Sequence, residues 1–147
     1  MWSLYIDVEF LNFDGNAFDV AWLGVSAGLA KVRLPRVLFD VDLERGVVVD
    51  GEPVELAWSG EGAFACSFVG IDEGRYILID PDQEEEELAT ANVCVVIDQE
   101  QRIRHLFKGG VGLGREDIKI CVELASERAG YLSFILEEAA SKLGTSN

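Results

Sequence analysis

Tyr5-Ile-Asp-Val-Glu-Phe-Leu-Asn-Phe13, Asp14-Gly15-Asn16 and Ala17-Phe-Asp-Val-Ala-Trp-Leu-Gly-Val-Ser-Ala-Gly-Leu-Ala-Lys31 form the stretch whose reading decides the fold. The first part alternates. Tyr5, Asp7, Glu9 and Leu11 share one face, and Leu4, Ile6, Val8 and Phe10 the other, which predicts a strand half-buried in a sheet. Asp14-Gly15 is a turn signal, because glycine accepts positive φ and aspartate bonds its own backbone. Asn16 suits an N-cap, and Asp19, three residues on, approximates a capping box at the positive end of the helix dipole. The helix that follows carries Ala17, Ala21, Gly24, Ala27, Gly28 and Ala30. Two glycines each weaken a helix by about 1 kcal/mol, so their presence predicts close packing of another backbone against a buried helix. The charge-free run Val20–Ala30 is shorter than the roughly 20 apolar residues of a membrane span, and no membrane role is expected.

The stretch sits in a chain of 147 residues, the size of one domain or part of one. With 49% hydrophobic residues it has ample material for a core. The 27 acidic residues outweigh 12 basic ones, leaving a net charge of -15. Such a chain repels a phosphate backbone at long range, so any nucleic-acid contact needs a local basic patch or a basic partner. Cys66, Cys94 and Cys121 lie in apolar runs and read as buried reduced thiols of an intracellular protein. Without a CxxC motif and with His105 alone, neither a metal site nor a cofactor is expected.

Beyond the first helix the pattern reads as short strands over 36–41, 47–49 and 54–58, with a hairpin turn at Asp50-Gly51 between the last two. A strong hairpin follows, 63–71 with 75–80, with Phe64, Cys66, Phe68, Tyr76 and Leu78 as inner positions. After the acidic run Glu84–Glu87 come strands over 91–97 and 102–108, then the glycine-rich Gly109–Gly114. A long helix over 116–143 repeats Ile118, Val122, Ala125, Ala129, Leu132, Leu136 and Leu143 at helical spacing, with Gly144 as its C′ residue. The fold class is α+β with a mixed, mostly antiparallel sheet.

Few stretches offer chemistry. Gly110-Val-Gly112-Leu-Gly114 precedes a helix, but Arg115 stands where a dinucleotide fingerprint needs its last glycine, and no Walker Lys-Ser/Thr is present. Glu84–Glu87 suits a solvated turn or protein contact better than a metal. Arg102, Arg104 and Lys108 share one side of a strand, and Lys31, Arg33 and Arg36 cluster after the first helix. Either group could meet RNA phosphate or a partner's acidic side chains. No Ser-His-Asp set and no paired acid and base stand out.

Several pieces in fixed order nevertheless resemble one family. They are Trp2-x-x-Tyr5-x-Asp7-Val8, Leu11-x-x-Asp14-Gly15-Asn16-x-x-Asp19, and Ala27-x-Leu29-x-x-Val32-x-Leu34-Pro35-x-Val37. Leu78-Ile79-Asp80-Pro81, Glu84–Ala89 and Lys108-Gly109-Gly110 follow. Together they resemble the RNase PH superfamily, in particular the RNase PH-like ring subunits of the RNA exosome. The resemblance implies a ring subunit acting in 3′-to-5′ RNA processing and degradation. It implies assembly with other RNase PH-like exosome subunits, RNA reached through the complex, and a place in nucleus and cytoplasm.

Two departures from active members bear on activity. Those enzymes hold phosphate with a Gly-Thr/Ser-Arg type segment after the Asp-Gly turn, where Asn16, Ala17 and Phe18 stand here. They also place a catalytic aspartate in the strand matching Phe64–Phe68, which has no carboxylate. A non-catalytic subunit with no catalytic residue is therefore expected, the alternative being an active phosphate-dependent exoribonuclease. The resemblance further implies that residues 1–147 are the C-terminal half of the family domain. A half domain exposing apolar surface is expected to self-associate in isolation.

Overall fold

The computed structural model describes residues 2–57 and 62–144, leaving out the side chains of 137 and 140–144. Elements run α1 (Ala17–Leu29), β1 (Arg33–Leu34), β2 (Val37–Asp40), β3 (Arg45–Val48), β4 (Val54–Glu55), β5 (Phe64–Ile71), β6 (Tyr76–Ile79), α2 (Gln83–Leu88), β7 (Ala91–Ile97), β8 (Ile103–Gly110) and α3 (Arg115–Gly144).

The centre is a four-stranded sheet in the order β6-β5-β7-β8, antiparallel throughout. The apolar run predicted at 63–71 becomes β5, the only strand of this sheet paired with both β6 and β7. Its even positions Phe64, Cys66 and Phe68 join Val93, Val95 and Ile97 of β7 in the core. The helical repeat on α3 closes that core with Cys121, Ala125 and Ala129, flanked by Ile118, Val122, Leu132 and Leu136. Small residues at the contact let the helix axis come close to the sheet. α3 extends through Gly144, so that glycine lies within the helix and not beyond it as C′.

Register corrects the inner face of the hairpin. Phe68 opposes Ile79 and Gly70 opposes Ile77, so Ile77 turns inward. Tyr76 opposes Ile71 and is half exposed. A one-residue difference in register moves a strand's side chains to the other face.

Residues 32–56 form two nested hairpins, β1 with β4 and β2 with β3. β3 and β4 are not paired with each other, so Asp50-Gly51 is a bend between two separate ladders and not a hairpin turn. The strand expected over 54–58 ends at Glu55, and Trp58 lies outside the described residues.

The predicted first strand is absent: residues 2–10 belong to no ladder. The alternation survives as a difference in exposure. Tyr5 and Leu11 are over nine-tenths exposed, while Leu4, Ile6, Val8 and Phe10 are about half covered. The segment borders a groove whose other side is the Val20, Ala21, Gly24, Gly28 and Leu29 face of α1. A strand needs a neighbour for its N–H and C=O groups, and the described residues supply none here. α1 is also less buried than expected. Asp19 is its one fully buried residue, and nothing lies within 4 Å of the place where a Cβ would stand at Gly24 or Gly28.

Candidate functional site at the start of the first helix

The Asp14-Gly15-Asn16 turn docks against the segment between β6 and α2. At Gly15 φ is 83°, and a Cβ would come within 2.4 Å of the Pro81 carbonyl oxygen. Only glycine fits both the backbone and the approach. Asn16 is left-handed as well, with φ 44° and ψ 43°, and its side chain makes no cap bond.

Asn16 works as a hub instead. Its Nδ2 donates to Asp19 Oδ2 at 3.0 Å and also to Asp80 Oδ1. Its backbone N–H donates to Glu86 Oε1 at 2.9 Å. The predicted capping box is thus replaced: Asp19 receives the Asn16 side chain, and a carboxylate 70 residues away takes the backbone donor. Arg128 of α3 approaches Asp80 at 3.6 Å.

Asp19 also serves the sheet. Its carboxylate accepts the Ser67 backbone N–H at 2.9 Å and the Ser67 hydroxyl at 2.7 Å. One turn on, the Trp22 indole N–H donates to the Ala63 carbonyl at 2.8 Å. β6 pairs only with the 68–71 part of β5. α1 therefore satisfies, through side chains, the β5 edge that β6 leaves open. Ala65, the neighbourhood expected to have lost a carboxylate, is 2% exposed and packs with Ala63 and Val96 beneath Trp22.

The electrostatic result is clear. A helix start attracts anions through its free N–H groups and dipole. Here three carboxylates, Asp19, Asp80 and Glu86, already converge on Asn16. Neither hydroxyl nor guanidinium is present at Asn16, Ala17 or Phe18. The acidic run contributes in two ways: Glu86 bonds Asn16, and Glu85 forms the capping box of α2 with Asp82. This division of roles was hidden in the sequence, because one residue of a four-glutamate run is indistinguishable from the next until the chain folds.

Beside this hub the sheet face opposite α3 is open. A cavity of about 660 Å³ is floored by Val69, Asn92, Cys94, His105 and Phe107 and walled by Phe18. Burial pushes the Cys94 thiol up, so it is no thiolate nucleophile. The His105 side chain makes no hydrogen bond to an orienting group among the described residues. No group of three His, Cys, Asp or Glu among them could hold a metal ion.

The basic residues do not form one surface. Arg102 Nε donates to Asp98 at 2.8 Å and Nη2 to Glu100 at 2.7 Å, and Arg104 reaches Asp98 at 3.4 Å. Burial alone would raise the Asp98 carboxyl, but the backbone N–H and guanidinium of Arg102, with Arg104 behind, hold it below the ordinary range. The register shift beside Ile97 leaves Arg104 out of the ladder, so the even-numbered row Arg102, Arg104, Lys108 is broken. Lys108 Nζ folds onto the Gly110 carbonyl at 2.9 Å. Arg33 pairs with Glu55 at 2.8 Å across β1 and β4, Lys31 follows α1, and the Arg36 side chain lies along Gly51.

Against this geometry the comparisons with known proteins are informative. Residues 62–128, which run from just before β5 into α3, match the model of the 3′ exoribonuclease family, domain 2. That stretch is RNase PH-like. Over 141 residues it is 33% identical to the exosome complex component Rrp42 of Methanothermobacter thermautotrophicus, a match covering 95% of this chain and 50% of that protein. Over 130 residues it is 34% identical to exosome complex component rrp43 of Schizosaccharomyces pombe, covering 86% and 46%. It is 26% identical over 145 residues to exosome complex component RRP45 of Danio rerio, covering 95% and 36%. The chain thus spans about half the length of the first two relatives. Among its described residues no helix is long and apolar enough to cross a membrane.

Proposed function

We propose that this RNase PH-like chain is a non-catalytic part of an exosome core ring, scaffolding 3′-to-5′ RNA processing and degradation. The observation that carries this reading is the start of α1, where Asp19, Asp80 and Glu86 converge on Asn16, the turn at which active members of the resembled family hold phosphate. A phosphate brought there would face three like charges, with the nearby guanidinium of Arg128 already set against Asp80 at 3.6 Å. The names of the relatives, all exosome complex components, support the ring assignment.

On this reading the partners are other RNase PH-like exosome subunits, and RNA is met in the assembled complex, in nucleus and cytoplasm. Lys31, Arg33, Arg36, Arg102, Arg104 and Lys108 are the candidate contacts to RNA or to acidic partner surfaces. The described pairs of Arg33, Arg102 and Arg104 would have to open or be shared for that use. The chain is the C-terminal half of a family domain and self-associates when isolated, driven by large exposed apolar side chains such as Tyr5, Leu11 and Phe39.

The test is a phosphorolysis assay of the purified chain with a 3′-end-labelled RNA, inorganic phosphate and Mg²⁺, beside co-purification with RNase PH-like subunits of the same source. Stable co-purification with no phosphate-dependent release of nucleoside diphosphates is expected. Phosphate-dependent release by the chain alone makes it an active exoribonuclease and ends the scaffold reading.

A further inference from the structure

We propose that the open sheet face beside α1 binds an uncharged planar heterocycle of the nucleobase type. The inference concerns this chain by itself and stands apart from its place in a ring. The cavity's volume, about 660 Å³, is within the range of small-molecule sites. Its residues come from five elements: Phe18 from α1, Val69 from β5, Glu86 from α2, Asn92 and Cys94 from β7, and His105 and Phe107 from β8.

Their chemistry selects a ligand. The Phe18 and Phe107 rings are about half exposed and offer aromatic faces for stacking. Ladder register spaces the polar groups. Asn92 opposes Gly109 and His105 opposes Val96, four rungs along β7, so the amide and the imidazole stand roughly 13 Å apart with Cys94 and Phe107 between them. The side chains of Asn92 and His105 have no hydrogen-bond partner among the described residues. The other polar groups of the floor are spent, Ser67 on Asp19 and Thr90 on the Gly70 carbonyl. An amide presents a donor beside an acceptor, the pattern of a base edge. A single base covers the Asn92 amide beside Phe107 and leaves the His105 imidazole to water, whereas a purely apolar ligand over Asn92 would displace its water and pair with nothing.

Charge narrows the class further. Among the described residues no lysine or arginine lines the cavity, whereas Glu86 does, in a chain of net charge -15. A phosphate-bearing ligand is disfavoured there, and a neutral base or nucleoside is not.

The experiment is a titration of the isotope-labelled chain with adenosine and, separately, with AMP, followed by amide chemical shifts at low salt. Adenosine is expected to shift the signals of Asn92, Cys94, His105 and Phe107. AMP is expected to bind about tenfold more weakly, the gap closing as salt screens the repulsion. Phe107→Ala is expected to weaken adenosine about tenfold, the scale of one lost stacking contact. Asn92→Leu, close in size and leaving the aromatic rings in place, is expected to weaken it about fivefold. Circular dichroism of both variants separates lost binding from lost folding. The proposal is overturned by the absence of shifts with millimolar adenosine, by shifts that map away from this face, or by AMP binding as tightly as adenosine. It is equally overturned if a folded Asn92→Leu variant binds like the parent.

Discussion

Asp19 is the residue on which most of the local structure converges. It is 7% exposed and accepts from the Asn16 side chain and from both the N–H and the hydroxyl of Ser67. Removing one partner of a buried polar network costs more than the bond itself, because the remaining donors lose water and gain nothing. Asp19→Ala is expected to lower stability by about 3 kcal/mol in urea unfolding. The mechanism is checked by Ser67→Ala in the Asp19→Ala background, which should cost less than Ser67→Ala alone. Additive losses would refute the shared network.

The thiols give a second test at this scale. Burial pushes Cys66 up to about 12 and Cys121 up to about 11, so neither carries thiolate at neutral pH. Both are expected to stay unreactive towards a thiol reagent in the native chain at pH 8 and to react on unfolding. Rapid native labelling at either would place it outside the core. Asp98 supplies the pH dependence. Its ordinary value is 3.8, and in the fold it lies lower because of Arg102 and Arg104. Between those two values the folded chain binds fewer protons than the unfolded one, so this contribution is complete above 3.8 and is lost as pH falls through the folded value. Asp98→Asn is expected to flatten the acid limb of stability against pH, and an unchanged limb would count against the assignment.

At the scale of elements, α1 has two unlike sides. One satisfies β5 through Asp19 and Trp22, and the other presents Gly24 and Gly28 to the groove beside residues 4–10. With open space at Gly24, a methyl group meets nothing, and alanine is the better helix former. Gly24→Ala is therefore expected to stabilise the isolated chain by about 1 kcal/mol, raising Tm by a few degrees. A loss of stability would mean that another backbone already covers this face. Gly15 behaves in the opposite way. Its positive φ and the 2.4 Å approach to Pro81 leave no place for a side chain. How much of this was legible is uneven. β5, β7 and α3 could be read because their apolar patterns match the period of the element that buries them. Residues 4–10 had the same clarity of pattern, yet form no strand, because alternation describes a face and pairing requires a neighbour.

For the whole molecule, surface is the governing quantity. Large apolar side chains along residues 2–13 and on the 37–48 hairpin stand exposed, while the net charge of -15 opposes association. Salt weakens that repulsion and leaves the apolar attraction. Sedimentation of the chain at micromolar concentration is expected to find dimers or larger species, growing as sodium chloride is raised. A monomer at every salt concentration would refute self-association. The candidate site was legible in part. Asn16, Ala17 and Phe18 could be found from the Asp-Gly turn, and their lack of a hydroxyl and guanidinium was plain from the letters. Glu86, Asp80 and Ser67 could not, since they reach Asn16 or Asp19 from 48 to 70 positions away along the chain, nor could Arg128, which meets Asp80 from α3, and no local period marks such meetings.

The sequence alone determined the core residues of β5, β7 and α3, the α+β class, the resemblance to RNase PH and the absence of a hydroxyl and a guanidinium at Asn16, Ala17 and Phe18. Each depends on residue identity or on a short period, and those are local properties. Only the tertiary structure decided which carboxylates fill the start of α1, which face of β6 turns inward, and how the basic residues are spent. It also decided that one sheet face stays open between Phe18 and Phe107. Register, edge satisfaction and ion pairing are set by residues distant in the chain, and their free energies exist only once those residues are brought together.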